Sequence, residues 1–416
     1  MRLRNYISFF NYGIRNGQIK VFSFLLNLVI LIIALTDIQN IFQHSSLILI
    51  LVLFFLNIVW QCIGTFSDIF RYFECTSLKK GRLTINPAQI SISDKERALG
   101  FEKISVRDNT VIMSDRINAF CRAEIEPGCR IEDEKRRRVQ EQIKINFQTL
   151  FLFLKCQIQT PETKGTIFNN QRKLCLAADI EPDVPVAFCK GQYYNTHVTN
   201  VSYFSTLCDK EGKDIQSPYF TANGYAIPSV SESLMGNQIG VSTLAVTSDG
   251  YIVFLWQQII SNASPGLLVP SGSGSMDWRD YNPNGFFPTI ITAANRELYE
   301  EVGHPRGFSK HNIAKTRILG FFRWLNMAGK PEFLCLSKLN IALSQIKPHR
   351  KEQLPKVMSE YVVDYKNRIV RYDSLSEFLS HATNHEKCSL QLSLNARMLT
   401  DYFTNQKAEF EAFLFE

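Results

Sequence analysis

None of the ten cysteines has another within three residues, so the 416-residue chain contains no Cys-x-x-Cys pair. That absence argues against the common zinc spacings and against a disulfide scaffold, and it suits a reducing compartment for most of the chain. There is no internal repeat, which excludes a solenoid array, and no low-complexity tract. Acidic residues are missing from Met1 to Lys20, where Arg2, Arg4, Arg15 and Lys20 all fall. Charge of either sign is missing from Ser45 to Phe66, and Lys and Arg are missing from Gln39 to His44.

These gaps shape the first 70 residues. Two apolar runs, Val21 to Ile38 and Ser45 to Phe66, flank the loop without Lys or Arg. At 1.5 Å per residue the second run reaches roughly 33 Å, enough to cross a bilayer core. The first carries Asn27 and Asp37 and spans as half of a hairpin. No small-residue cleavage site comes after it, which argues against a signal peptide. Basic flanks at Arg2 to Lys20 and at Arg71, Lys79, Lys80 and Arg82 place both ends in the cytosol by the positive-inside rule. The expectation is an N-terminal transmembrane hairpin over 1–70, with helices at about 21–38 and 45–66. The competing reading is a buried helical hairpin of a soluble protein. Asn27, Asn57 and Gln61 lie within the spans, where amides bond helix to helix, either between protomers or inside one hairpin.

Beyond residue 70 a globular part is expected. Hydrophobic residues make up 45% of the chain, and the length suffices for two or three units. The net charge of +7 suits a nucleotide or phospholipid partner; no DNA or RNA partner is expected. Residues 71–235 read as a cytosolic α+β region. Leu83 to Asn86 and Gln89 to Ser93 alternate as strands do. Glu132 to Phe147 reads as a charged helix whose Lys135-Arg136-Arg137-Arg138 run is either a solvated face or a contact for anionic lipid. Phe147 to Leu154 is too short to span a membrane and reads as a buried strand.

Residues 236–416 read as one α/β domain. Gly240 to Val246 and Tyr251 to Trp256 are strands around the Asp249-Gly250 turn. A Gly-rich turn comes next at Ser271 to Asp277, then a helix, then a hairpin of Thr316 to Trp324 and Glu332 to Leu339. Ser374 caps a later helix, and a last amphipathic stretch runs to Leu414. In the central helix Ala293, Ala294, Leu298 and Val302 form a buried stripe, and Gly303 ends it. Glu297, Glu300 and Glu301 lie at i, i+3 and i+4, so their carboxylates share a face. Such a cluster suits a divalent cation with oxygen ligands; alone, it equally suits a solvated acidic face.

Arg296-Glu297-Leu298-Tyr299-Glu300-Glu301-Val302-Gly303 resembles the second half of the Nudix box, Arg-Glu-apolar-x-Glu-Glu-x-Gly-apolar, with His304 in the last apolar place. The order of hairpin, glycine turn, acidic helix and further strands is similar to the Nudix fold, a mixed sheet between helices. The first half of the box departs: Asn282 and Pro288 stand where a Gly and a Glu belong, and Trp278 to Thr289 reads as an insertion that pushes the glycine turn away. The resemblance implies Mg²⁺ or Mn²⁺ held by Glu297, Glu300 and Glu301, which would be catalytic in an active enzyme. Gly272, Gly274, Trp278, Arg279, Arg296, Arg323 and Trp324 are the candidate ligand-binding residues, through aromatic or guanidinium stacking and Arg–phosphate pairing.

The whole arrangement resembles the transmembrane Nudix effectors of bacterial cyclic-oligonucleotide antiviral signalling, CBASS. That implies a multi-pass protein of the bacterial inner membrane. A cyclic di- or trinucleotide would bind the Nudix-like domain, the protomers would form a homo-oligomer, and the hairpins would disrupt the bilayer. The alternative is a membrane-anchored Nudix hydrolase that cleaves a nucleoside diphosphate derivative.

Overall fold

The computed structural model describes residues 79–82, 86, 88–123, 125–159, 169–208, 212–257, 264, 266–303, 309–346, 352–353 and 361–416, with positions 8, 11–13, 52, 55, 56 and 59 nearer the start. In chain order the elements that matter for the site are β1 (Glu102–Val106), β2 (Asn109–Met113), α1 (Asp115–Arg122), β3 (Cys129–Ile131), α2 (Asp133–Ile145) and α3 (Phe147–Gln159). They continue with β4 (Arg172–Leu176), β5 (Val186–Gln192), β6 (Gly240–Val246), β7 (Ile252–Val253), β8 (Gly272–Ser275) and α4 (Phe286–Leu298). The last are β9 (Ile313–Trp324), β10 (Lys330–Leu339), α5 (Tyr372–Asn384), α6 (Leu390–Asn405) and α7 (Lys407–Phe415).

The main sheet is mixed and runs β7-β6-β10-β9-β2-β1, with β8 also pairing β6. β6 and β10 are parallel; the other pairs are antiparallel. It therefore takes strands from both sides of residue 236. Helices cover both faces, as expected for a mixed sheet between helices. On one side Val241, Ile318, Phe321, Phe333 and Cys335 pack with Phe286, Ile290, Ala293 and Ala294 of α4. On the other, Leu244, Leu319, Phe322, Leu334 and Leu336 pack with Leu392, Met398, Leu399 and Tyr402 of α6. In β10 the faces alternate strictly, as a pleated strand requires. In β9 the register shifts between Ile318 and Gly320. That extra residue puts Ile318 and Phe321, three apart, on the same face. The hairpin turn that joins β9 to β10 has Ala328 and Gly329 at positive φ, 48° and 74°.

Several expectations change. Phe147 to Leu154 is not a strand but most of α3. Phe147, Leu150, Phe151 and Leu154 sit at i, i+3, i+4 and i+7 and are all buried, so helical periodicity lies within the apolar run. Tyr251 to Trp256 is broken into Ile252–Val253 and Leu255–Gln257, which join different sheets. Ser374 lies inside α5, whose N-cap is Arg371. Helix α4 starts at Phe286, within the segment read as an insertion.

Most of the two apolar runs lies outside the described residues, as do Asn27, Asn57, Gln61 and His304. Among the described residues no helix is long and apolar enough to cross a membrane. Val52, Phe55, Leu56 and Val59 are described; they are helical, and each is between 37% and 55% exposed. Nearer the start, Tyr12 is buried against Phe147 and Tyr194, and its hydroxyl donates to Asn195 Oδ1 at 2.9 Å.

Candidate functional site: an arginine-centred carboxylate cluster

Helix α4 has no side-chain cap of its own, since Gly285 is its N-cap. Glu126, from the loop after α1, substitutes: its carboxylate accepts from the amides of Phe286 at 2.6 Å and Phe287 at 3.0 Å. An anion placed there satisfies orphan donors and meets the positive end of the helix dipole. At the other end the α-helix widens into a π-helix, Tyr299–Gly303, which carries Glu300 and Glu301. Single π-turns of this kind recur at functional sites.

Arg296 organises the cluster. Its Nε and Nη2 donate to the two oxygens of Asp280 at 2.8 and 2.7 Å, a bidentate pair. Nη1 donates to Glu297 Oε1 at 2.8 Å and to Glu300 Oε2 at 3.3 Å, and Nη2 also reaches the Ser275 carbonyl. One buried guanidinium thus gathers three carboxylates. Glu301 is held separately: its Oε2 accepts from the Ser273 amide at 2.9 Å. Glu300 is the open member, with its side chain 46% exposed. Arg279 stands at the mouth and bridges Glu300 and Asp277, while Lys173 of β4 holds Asp277 at 2.6 Å.

The glycines of β8 explain how helix and strand come so close. A Cβ on Gly272 would lie 2.5 Å from Leu298 Cα, and one on Gly274 would lie 2.3 Å from Glu297 Cδ. Both are sites of close backbone approach. The segment from Trp278 to Thr289 therefore does not separate the glycines from the helix. It loops out and returns, and its 3₁₀ turn, Trp278–Asp280, delivers Asp280 to Arg296.

Burial raises the Glu297 carboxyl to about 7; Arg296 opposes that rise and Glu300 adds to it. Burial by itself would lower the Arg296 pKa, but Asp280, Glu297 and Asp277 outweigh it and hold the guanidinium well above its ordinary value. Five carboxylates (Asp277, Asp280, Glu297, Glu300, Glu301) meet three cations (Lys173, Arg279, Arg296), an excess of two negative charges when all are ionised. Among the described residues no trio of Asp, Glu, His or Cys converges as a ready-made metal site. The fit to Mg²⁺ or Mn²⁺ is one of chemistry and charge: oxygen donors only, and a surplus equal to one divalent ion. Glu297, Glu300 and Glu301 are the residues that would hold it.

Arg323 and Trp324 lie elsewhere. Arg323 is buried on β9, where it pairs with Glu96 and donates to the carbonyls of Gly329 and Pro228. Trp324 Nε1 donates to Asn109. Neither belongs to the cluster. Trp278 stacks on Tyr281 with Lys190 over its ring, at the cluster's edge. Asp277, Asp280 and Lys173 are members that sequence reasoning misses. The two aspartates carry a local signal, the i, i+3 spacing of a capping box. Nothing in the sequence points to Lys173.

No protein-family model and no curated protein matches the chain. Among solved structures, a MutT protein from Methanosarcina mazei is similar over 41% of this chain and 94% of its own, at 14% identity and a TM-score of 0.24. RenU, a Nudix hydrolase from M. smegmatis, is similar over 40% and 85%, at 11% identity and a TM-score of 0.24. A bifunctional NMN adenylyltransferase/ADP ribose pyrophosphatase from Francisella tularensis is similar over 36% and 42%, at 14% identity and a TM-score of 0.22. At these scores the likeness carries no argument about activity, and the chemistry of the site has to be judged from its own residues.

Proposed function

We propose that the carboxylate cluster is a Nudix-like, divalent-metal-dependent site that cleaves a nucleoside diphosphate derivative. The supporting observation is that Arg296 draws Glu297 and Glu300 together beside Glu301, with two negative charges in excess once all five carboxylates are ionised. A bound Mg²⁺ or Mn²⁺ would polarise phosphoryl oxygens and lower the pKa of a water. Arg279, two-thirds exposed, offers a guanidinium to an incoming phosphate. The test is hydrolysis of a panel of nucleoside diphosphate derivatives by the full-length chain, with Mg²⁺ or Mn²⁺ against EDTA. Glu300→Gln should lower turnover by about a hundredfold. No turnover on any of the panel, or an undiminished Glu300→Gln enzyme, would overturn the proposal.

A second reading has its own support. Val52, Phe55, Leu56 and Val59 are apolar yet between 37% and 55% exposed, as residues of a lipid-facing surface would be. On this reading the chain is a CBASS-like effector of the bacterial inner membrane. It would bind a cyclic di- or trinucleotide, form a homo-oligomer and disrupt the bilayer through its hairpins. Light scattering of the purified protein with a panel of cyclic nucleotides tests it. An unchanged particle size throughout would count against the effector, and leakage that survives Glu300→Gln would count for it.

A further inference from the structure

Next to the edge of the carboxylate cluster, where Lys190 sits over the Trp278 ring, lies a cavity of about 420 Å³, a volume within the range of small-molecule sites. Helix α2 contributes Arg136 and Lys144 to its lining, β4 contributes Arg172, and β5 contributes Lys190. Among the described residues no carboxylate lines it, and neither Lys144, Arg172 nor Lys190 forms an ion pair. The one acid paired with Arg136 is Asp133, exposed on the same helix at 3.8 Å.

Arg136, Lys144 and Arg172 reach solvent at the rim of this cavity, so what sets them apart from the rest of the basic run is their pairing. Arg137, in the same basic run, points outward and is matched by Glu134 at 2.5 Å. The cavity cations come instead from three separate elements, and among the described residues the acid near them is Asp133, which offsets only part of their charge and leaves a field that favours a bound anion. The Lys190 ammonium registers that field: burial, then Arg172 and Arg136, lower its pKa, and Asp133 offsets part of the effect. Amides stand between the charges. Asn170 and Gln192 are bonded to each other at 2.7 Å, and both line the cavity.

We propose that this cavity binds a small ligand bearing two or more phosphate negative charges, with Arg136, Lys144, Arg172 and Lys190 on the phosphates and the Asn170–Gln192 pair on its uncharged polar part. Such phosphates can belong to a free nucleotide or to a lipid headgroup. The site stands whether or not the carboxylate cluster hydrolyses anything. Its wall also carries the start of the chain: the Asn170 amide donates to Ser8 Oγ at 3.2 Å, and Asn195, another lining residue, takes the Tyr12 hydroxyl.

The experiment is calorimetry on the full-length chain in EDTA, where metal-dependent binding at the carboxylate cluster is silenced. The probes are inorganic tripolyphosphate, adenosine triphosphate and short-chain phosphatidic acid. At least one should bind, more weakly as salt rises, and an Arg172→Ala/Lys190→Ala double variant should lose about tenfold or more in affinity. A charge-keeping Arg172→Lys/Lys190→Arg variant should retain binding, and Glu300→Gln should not change it. A phosphatidic acid response alone would assign the site to a headgroup, and a tripolyphosphate or triphosphate response to a free ligand. No binding by any probe, or binding that ignores the double alanine variant while the charge-keeping variant folds normally, would overturn the proposal.

Discussion

Two arginines are buried, Arg323 on β9 and Arg296 on α4, and they are used in opposite ways. Arg323 meets one carboxylate, Glu96, and two carbonyls; both side chains are 1% exposed. Its charge is matched one for one, and the place is sealed. Arg296 meets three carboxylates, and one of them, Glu300, opens to solvent. A matched pair tends to be structural. A surplus that reaches the surface is the arrangement on which the proposed cation site rests. Burial of an arginine therefore says little until its partners are counted.

The largest effects test that contrast. Arg323→Ala should cost about 3–5 kcal/mol, because Glu96 is left as an uncompensated buried charge. Arg296→Ala should cost a similar amount through Asp280, but Mg²⁺ should restore part of it; denaturant unfolding with and without Mg²⁺ measures both. If Mg²⁺ rescues neither variant or both alike, the contrast fails.

The next effect is on pH. The Glu297 carboxyl is raised from 4.5 to about 7, so the folded state keeps a proton that the unfolded chain has lost. The neutral acid therefore supports folding fully below pH 4.5, and that support disappears as pH rises through about 7. The loss is on the order of 3 kcal/mol. Glu297→Gln, unfolded in EDTA from about pH 4 to 8, should lack this part of the slope.

Smaller effects concern how the cluster is assembled. Gly272→Ala should cost about 1–3 kcal/mol by forcing β8 off Leu298, seen as a lower melting temperature. Glu126→Ala should cost about 1 kcal/mol through the lost cap on Phe286 and Phe287. Both should leave the Arg323 region unaffected, which a local probe at Trp324 would report.

The legible parts of the fold are the local ones. Gly240 to Val246 reads from sequence with its observed bounds, and the β9–β10 hairpin to within three residues, because alternation and the Ala328-Gly329-Lys330 turn are written in consecutive residues. The carboxylate helix is legible for the same reason. What is not legible depends on distance. Asp280 reaches Arg296 across 16 residues of chain, and Lys173 reaches Asp277 across 104. The strands β1 and β2 join a sheet whose other members begin more than a hundred residues later. The misread α3 is a different case, a packed stripe hidden in a run that is apolar almost throughout. The glycines of β8 stand out in the sequence, but their geometry does not: they let a strand press on a helix, rather than turn around a ligand.

Tyr12 has a practical consequence. It precedes both apolar runs, yet its ring fills a space between Phe147 and Tyr194, and its hydroxyl satisfies Asn195. Trimming the chain to begin after residue 70 would remove a core aromatic along with the apolar runs, leaving a hole in the middle region and a buried amide oxygen without its donor. A shortened protein made for convenience would thus be destabilised far from the cut. Supplying residues 1–20 as a separate peptide is one way to learn whether that hole can be refilled.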